Sequence, residues 1–354
     1  MKVGVLTFHD TTNFGSLLQT YGLYKAIDNL GVDCEIIDYQ CKSIVERELP
    51  KPIDFSFNMR SMARQALVHY FDSRKYRGLL QFSKDRLKLS PRYDRENIGA
   101  CAYCYDRFMV GSDIVWGLDI TQGDTAYFLD FVKDKHRKFA FSSSIGNQWS
   151  DTEKSLVAPL LSDFNYIAVR EEESAEWVEE VTGHRPDVVC DPTMLLTSQE
   201  WRALKSERYK GKKYVFVYFN DSQNRCLQIA KQYADKHNLE VLYVNYGLPI
   251  KGITSVHPYT IADFLSLIYY ADRCFTASYH GMLFSLYFNK QFVYFNRAHK
   301  SRMNTLASKL SVQNCNGECV DIDHLPNVDY NQVNTLVEQY RISSLEKLSQ
   351  LVTL

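Results

Sequence analysis

Four loops in this 354-residue chain bring together side chains of types that do chemistry. The most informative is Thr276-Ala277-Ser278-Tyr279-His280-Gly281-Met282. His280 follows a run that reads as a strand and precedes an apolar helical run, Met282 to Phe288. An imidazole can take or give a proton near neutral pH. Ser278, His280 and Gly281 form a small polar turn at a helix start, where backbone N–H groups favour a bound phosphate. Arg297 and Arg302, beyond the next strand, can add positive charge to the same pocket. The competing reading of a lone histidine is structural.

A second loop is Val110-Gly111-Ser112-Asp113-Ile114-Val115-Trp116. A strand ends in Gly-Ser-Asp, so Asp113 can accept a sugar hydroxyl, or equally cap a helix. Trp116 reads as a sugar-stacking platform if it borders a cleft, and otherwise as core. A third loop, Ser142 to Gly146, is followed after the next strand by Arg170-Glu171. The planar fork of Arg170 matches phosphate or carboxylate. An ion pair with residues 171–173 is the alternative. The fourth, Asn13-Phe14-Gly15-Ser16 with Gln19, opens a helix and offers N–H donors to an anion or a sugar hydroxyl. It lacks the three-glycine fingerprint of dinucleotide sites.

Elements that alternate in type position these loops. Val3 to Phe8 reads as a strand and Ser16 as a helix N-cap. Leu17, Tyr21, Tyr24 and Ile27 recur at helical spacing, Gly31 ends that helix, and Cys34 to Asp38 is the next strand. Such β-loop-α-β units predict a parallel sheet. Further strands are expected at 107–111, 137–142, 166–170 and 187–190, with an acidic-started helix over 171–182. A second series follows at 214–219, 240–245, 273–277 and 291–295. Residues 331–351 read as a closing helix. The pattern predicts two α/β lobes with a boundary near 191–208, and ligands at the carboxyl ends of the strands.

The bulk numbers agree with two domains, since a single core stops growing near ~250–300 residues. The formal net charge is −1, and nothing global points to nucleic acid. No segment reads as a signal peptide or membrane span, which predicts a cytoplasmic protein. Nine scattered cysteines read as reduced thiols. The pairs Cys101/Cys104 and Cys315/Cys319 have metal-like spacing, but over 200 residues separate them, so no metal is expected. Residues 60–95 stand apart, with ten Lys/Arg against three Asp and interleaved Leu67, Tyr70, Phe71, Leu79, Leu80 and Phe82. This suits an anionic membrane face or a diphosphate, or else a solvated helix packed on its domain.

Taken in order, these segments resemble the polysaccharide pyruvyl transferase family. Cys190-Asp191-Pro192-Thr193 with Leu195-Leu196, Phe284-Ser285 and Asn289-Lys290, and the stretch from Asn296 to Leu306 with Arg302 also fit, so the likeness runs from about Val3 to Leu310. The resemblance implies a GT-B-like α/β fold of two Rossmann-like lobes whose parallel sheets face a central cleft. The expected division is 1–195 (acceptor side, carrying 60–95), 196–325 (donor side), and a last helix, 326–354, returning to the first lobe. It implies transfer of the pyruvyl group of phosphoenolpyruvate onto two sugar hydroxyls, forming a cyclic ketal in capsule or exopolysaccharide synthesis, with no cofactor. The acceptor would be a lipid-diphosphate-linked sugar, met by a protein peripheral to the inner membrane face.

On this resemblance His280 takes the place of the family's active-site histidine and Arg170 that of a donor-gripping arginine. Ser278, Gly281 and Arg302 complete the donor side, although Ser278 stands where some members carry an arginine. Asp113 orients an acceptor hydroxyl or acts as base, and Asn13, Gly15, Ser16, Gln19, Ser112 and Trp116 line the acceptor side. Two rivals remain at the level of sequence. One is a nucleotide-sugar glycosyltransferase of the same fold, using Asp191 or Asp221 for a ribose. The other is a carbohydrate-binding protein without catalysis.

Overall fold

The computed structural model describes residues 1–353 apart from 57, 222–223, 297–299 and 322, with Lys300 and Ser301 described in backbone only. Contacts divide the chain into two units. The first is Met1–Glu48, Leu80–Leu196 and Glu338–Leu354, and the second is Leu49–Leu79 and Thr197–Val337.

The first unit is built on strands β1 (Lys2–Leu6), β2 (Asp33–Tyr39), β3 (Leu89–Tyr93), β4 (Arg107–Val110), β5 (Lys138–Ser143), β6 (Tyr166–Val169) and β7 (Asp187–Val188). They form one sheet in the order β3-β2-β1-β4-β5-β6-β7, every pairing parallel. Helices α1 (Phe14–Asn29), α2 (Lys42–Glu48), α3 (Met59–Arg86), α4 (Leu118–Thr121), α5 (Asp151–Ser162) and α6 (Glu172–Thr182) lie between the strands in sequence. Val3, Val5, Leu6 and Ile36 are fully buried, as expected of strands covered on both faces.

The second unit holds β8 (Tyr214–Tyr218), β9 (Glu240–Val244), β10 (Thr254–Val256), β11 (Arg273–Thr276) and β12 (Gln291–Tyr294), in the order β10-β9-β8-β11-β12 and again all parallel. Its helices are α7 (Ser198–Leu204), α8 (Arg225–His237), α9 (Ile261–Tyr269), α10 (Tyr279–Tyr287) and α11 (Lys300–Lys309), and α12 (Tyr330–Thr353) closes the chain. Each residue of β8, Tyr-Val-Phe-Val-Tyr, is buried. Thr197 and Glu200 form a capping box that opens α7 at the start of this unit.

Several expectations change. Asn13, not Ser16, caps α1: its side-chain oxygen accepts from the N–H groups of Gly15 (2.9 Å) and Ser16 (3.4 Å). Strands β3 and β10 were not expected. Both are sheet edges, one carrying Pro91 and the other three residues long, and edges tolerate what a central strand does not.

The first part of the basic segment groups with the second unit instead of the first. The cause is local packing: Phe71 stacks on His257 at 4.0 Å, and Arg74 lies over the ring of Tyr259. Gly78 lets α3 come close, since a Cβ there would meet Tyr259 O at 1.8 Å. In the other direction, α12 past residue 337 belongs to the first unit. The Cys190 N–H donates to Ser344 Oγ at 2.9 Å, and Lys347 pairs with Asp187 at 2.5 Å.

Candidate functional site

Each sheet has one place where successive strands turn from building one side to building the other. Loops there diverge and leave a crevice for a ligand. In the first unit it lies between β1 and β4, and in the second between β8 and β11. The first point gathers residues 7–16 and 111–113, and the second gathers 219–221 and 277–281. The loops of Asn13, Asp113 and His280 therefore stand at these two points.

In the first unit the polar residues form a buried network. The Gln19 amide donates to Thr7 Oγ1 (3.1 Å) and Thr20 Oγ1 (3.0 Å), and its carbonyl accepts the Ser112 N–H (3.2 Å). Thr7 Oγ1 donates to Ser112 O at 3.2 Å, and Ser16 Oγ to Phe8 O at 3.4 Å. Gln19 and Ser112 are fully buried, and Gly15 and Ser16 nearly so. They hold the two loops together as a floor, while Asn13 is exposed and Asp113 half-buried. Gly111, at φ 128°, admits no side chain, because a Cβ would meet Phe141 O at 2.1 Å. Asp113 follows in the left-handed region at φ 68°, which aspartate tolerates better than most residues.

Trp116 is not a platform for a sugar. It is fully buried, stacked on Phe128 at 5.8 Å, and its indole N–H donates to Tyr127 O at 2.9 Å. Arg170 is likewise built in. Only 5% exposed, it donates to Glu171 Oε1 at 2.7 Å and Asp191 Oδ2 at 3.0 Å. Those carboxylates also accept from Ser144, Ser174 and Thr193. Arg170 thus fastens the end of β6 to the Asp191-Pro192-Thr193 turn. That turn meets α1 closely at Gly22, where a Cβ would lie 2.5 Å from Pro192 O.

In the second unit Ser278 caps α10, its hydroxyl accepting from the Gly281 N–H at 3.3 Å. Thr276 Oγ1 accepts from the Ser278 N–H at 3.0 Å and donates to Tyr218 O at 2.7 Å, tying β11 to β8. His280 is half-buried in the first turn of α10, where the helix dipole presents its positive end. Arg302 is half-buried in α11, and Arg297 lies outside the described residues. Asp221, the carboxylate of the nucleotide-sugar rival, accepts the Cys226 N–H at 2.7 Å at the start of α8. Asp191 is buried against Arg170. The arrangement sets an imidazole in the first turn of a helix in one unit and a half-buried carboxylate in the other.

The sequence reading passed over His9. It lies 4% exposed in the loop after β1, with Nε2 3.1 Å from Asp38 Oδ1 and Nδ1 3.4 Å from Thr7 O. Burial pushes the Asp38 carboxyl up, but the bond and charge of His9, with Gln40 and Arg92, outweigh it and hold it below the ordinary value. The signal was available: β1 and β2 run parallel in register, which brings their carboxyl ends together.

All nine cysteines are free thiols, and among the described residues no cluster of three or more His, Cys, Asp or Glu could hold a metal ion. No curated protein sequence matches the chain. Solved structures match in fold. The UDP-GlcNAc 2-epimerase from Methanocaldococcus jannaschii is 12% identical with a TM-score of 0.50, over 100% of this chain and 99% of that one. The S. aureus MnaA–UDP co-structure is 12% identical with a TM-score of 0.51, over 100% and 98%. With two parallel α/β sheets, this gives the chain a GT-B-like fold. The model of the family described as polysaccharide pyruvyl transferase matches residues 13–299, taking in the loops of Asn13, Asp113 and His280. The chain belongs to the polysaccharide pyruvyl transferase family.

Proposed function

We propose that the protein transfers the pyruvyl group of phosphoenolpyruvate onto two hydroxyls of a sugar, making a cyclic ketal during capsule or exopolysaccharide assembly. The observation that carries this reading is the family match over residues 13–299. The loops of His280 and Asp113 fall within it, each following a strand at the switch point of its sheet.

One sugar hydroxyl attacks C2 of the enol while C3 gains a proton. The C2–O bond to phosphate then breaks, and the second hydroxyl adds to C2 and gives up its proton. The products are the ketal and inorganic phosphate. No atom pair changes overall oxidation state, so no redox cofactor enters. His280 serves as the general acid, delivering a proton to C3 or to the departing phosphate. The positive end of α10 and Arg302 favour the anionic donor. Asp113 accepts a hydrogen bond from the attacking hydroxyl. Arg170 acts through Glu171 and Asp191 as a positioning residue. A lipid-diphosphate-linked sugar is the acceptor of choice.

The test is phosphate release from phosphoenolpyruvate with galactose-, glucose- and N-acetylmannosamine-terminated acceptors. Release should depend on the acceptor, and His280→Ala should lower it ~10²–10⁴-fold with the fold intact. Normal turnover by the variant would remove His280 from the chemistry. Release from no acceptor, lipid-linked ones included, would remove phosphoenolpyruvate as donor.

A further inference from the structure

We infer that the segment 49–77 docks the protein on an anionic phospholipid surface. The observation is a stripe on α3. Its exposed positions recur at three- and four-residue spacing: Arg60, Arg64, Leu67, Tyr70, Arg74 and Arg77. That spacing keeps them on one face. No acidic residue belongs to the stripe. Among the described residues, none of its four arginines lies within ion-pair distance of a carboxylate.

Apolar side chains accompany this charge into solvent. Phe55 is 76% exposed, Met59 86%, Tyr70 50%, Leu49 45% and Leu67 42%. They are five of the twelve large hydrophobic residues exposed among those described, gathered within 22 consecutive residues. Burying them in water-free surroundings is favourable by area, and arginines between them suit headgroup phosphates. A groove of about 480 Å3, lined by His69, Tyr70, Ser73 and Arg77 among others, adjoins the stripe and offers cationic and hydroxyl donors to a headgroup.

A bilayer surface fits both features at once. A second copy of the chain would set arginine against arginine. A soluble polyanion would leave Phe55 and Met59 in water. No helix among the described residues is long and apolar enough to cross a membrane, so the stripe lies on the surface and does not span. The helix is anchored to its own unit at the margin of this face, because Phe71, four residues after Leu67, stacks on His257 and Arg74 lies over the ring of Tyr259.

The inference is independent of the reaction, since binding is read without substrate. The full chain is floated with phosphatidylcholine vesicles with or without phosphatidylglycerol. Binding should require phosphatidylglycerol. It should weaken between about 0.1 M and about 1 M salt, as the screening length falls from about 10 to about 3 Å. Each cationic residue near the surface contributes about fivefold, so Arg60→Gln/Arg64→Gln/Arg77→Gln should bind roughly 100-fold more weakly. Phe55→Ser/Met59→Ser should lose the part of binding that survives high salt. These positions are exposed, and unchanged circular dichroism verifies each variant. Equal binding to both vesicles, or wild-type binding by the triple variant, would overturn the inference. Tighter retention by a DNA duplex than by vesicles would replace the lipid with nucleic acid, and a dimer lost in the triple variant would replace it with a second copy.

Discussion

Arg170 and Gly281 show how far a residue's type can mislead about its duty. An arginine at a strand end reads as an anion grip, yet here two buried carboxylates, Glu171 and Asp191, surround it. Removing one partner of such a group leaves uncompensated buried charge, which costs about 3–5 kcal/mol. Arg170→Ala should therefore lower the unfolding free energy by that amount, read as a lower urea midpoint. A donor grip would instead leave the midpoint alone and raise KM for phosphoenolpyruvate. Gly281 is fixed by sterics, since a Cβ would lie 2.3 Å from Thr276 Oγ1. Gly281→Ala should cost about 1–3 kcal/mol, read by thermal melting, and turnover should fall because the same turn carries His280. The sequence made His280 and Asp113 legible because each follows a readable strand. It could not separate buried from exposed members of those motifs. Gln19, Ser112 and Trp116 have the types of a sugar site and are interior parts of its support.

Every central strand was legible in sequence, as were the edge strands β7 and β12, while the edge strands β3 and β10 were not. β1, β4, β8 and β11 are covered on both faces, so their sequences are nearly continuous apolar runs. β3 carries Ser90, Pro91 and Arg92, a pattern that only its neighbour β2 turns into a strand. The helix α3 was readable as amphipathic, but its partner was not, because Phe71 and His257 are far apart in sequence. That pair has a consequence for pH. Burial pushes the His257 imidazole below its ordinary value, and a hydrogen bond with the Asn245 backbone pulls weakly the other way. The unfolded chain then binds the proton more readily than the folded one. Stability from this site is complete above about pH 6.5 and is lost as pH falls through the lower folded value. Wild type should lose thermal midpoint between neutral pH and pH ~5. His257→Phe keeps a ring against Phe71 and should lose less; equal losses would show that the stack does not titrate.

At the scale of the whole molecule, neither unit is a continuous stretch of chain. The likeness to a GT-B fold was legible from the repeated β-α pattern, but the exchange of residues 49–79 and 338–354 between halves was not, because it depends on contacts distant in sequence. Leu348 and Val352 are buried in the first unit, and the Arg107 guanidinium donates to the Leu351 carbonyl oxygen. Each buried aliphatic side chain is worth about 1.5–3 kcal/mol, so losing a few approaches the total stability of a domain, about 5–15 kcal/mol. Ending the chain after Val337 should abolish cooperative melting of the first unit. A retained two-step melt would show that the last 17 residues are dispensable. The same feature bears on how the protein is made. A ribosome delivers the chain from its amino end, and domains made of one continuous segment fold as they emerge. Here the first seven strands are synthesised long before the residues that finish their unit. The nascent first half must wait, incomplete, until residues 338–354 emerge, so its demand on chaperones lasts through the synthesis of the second unit.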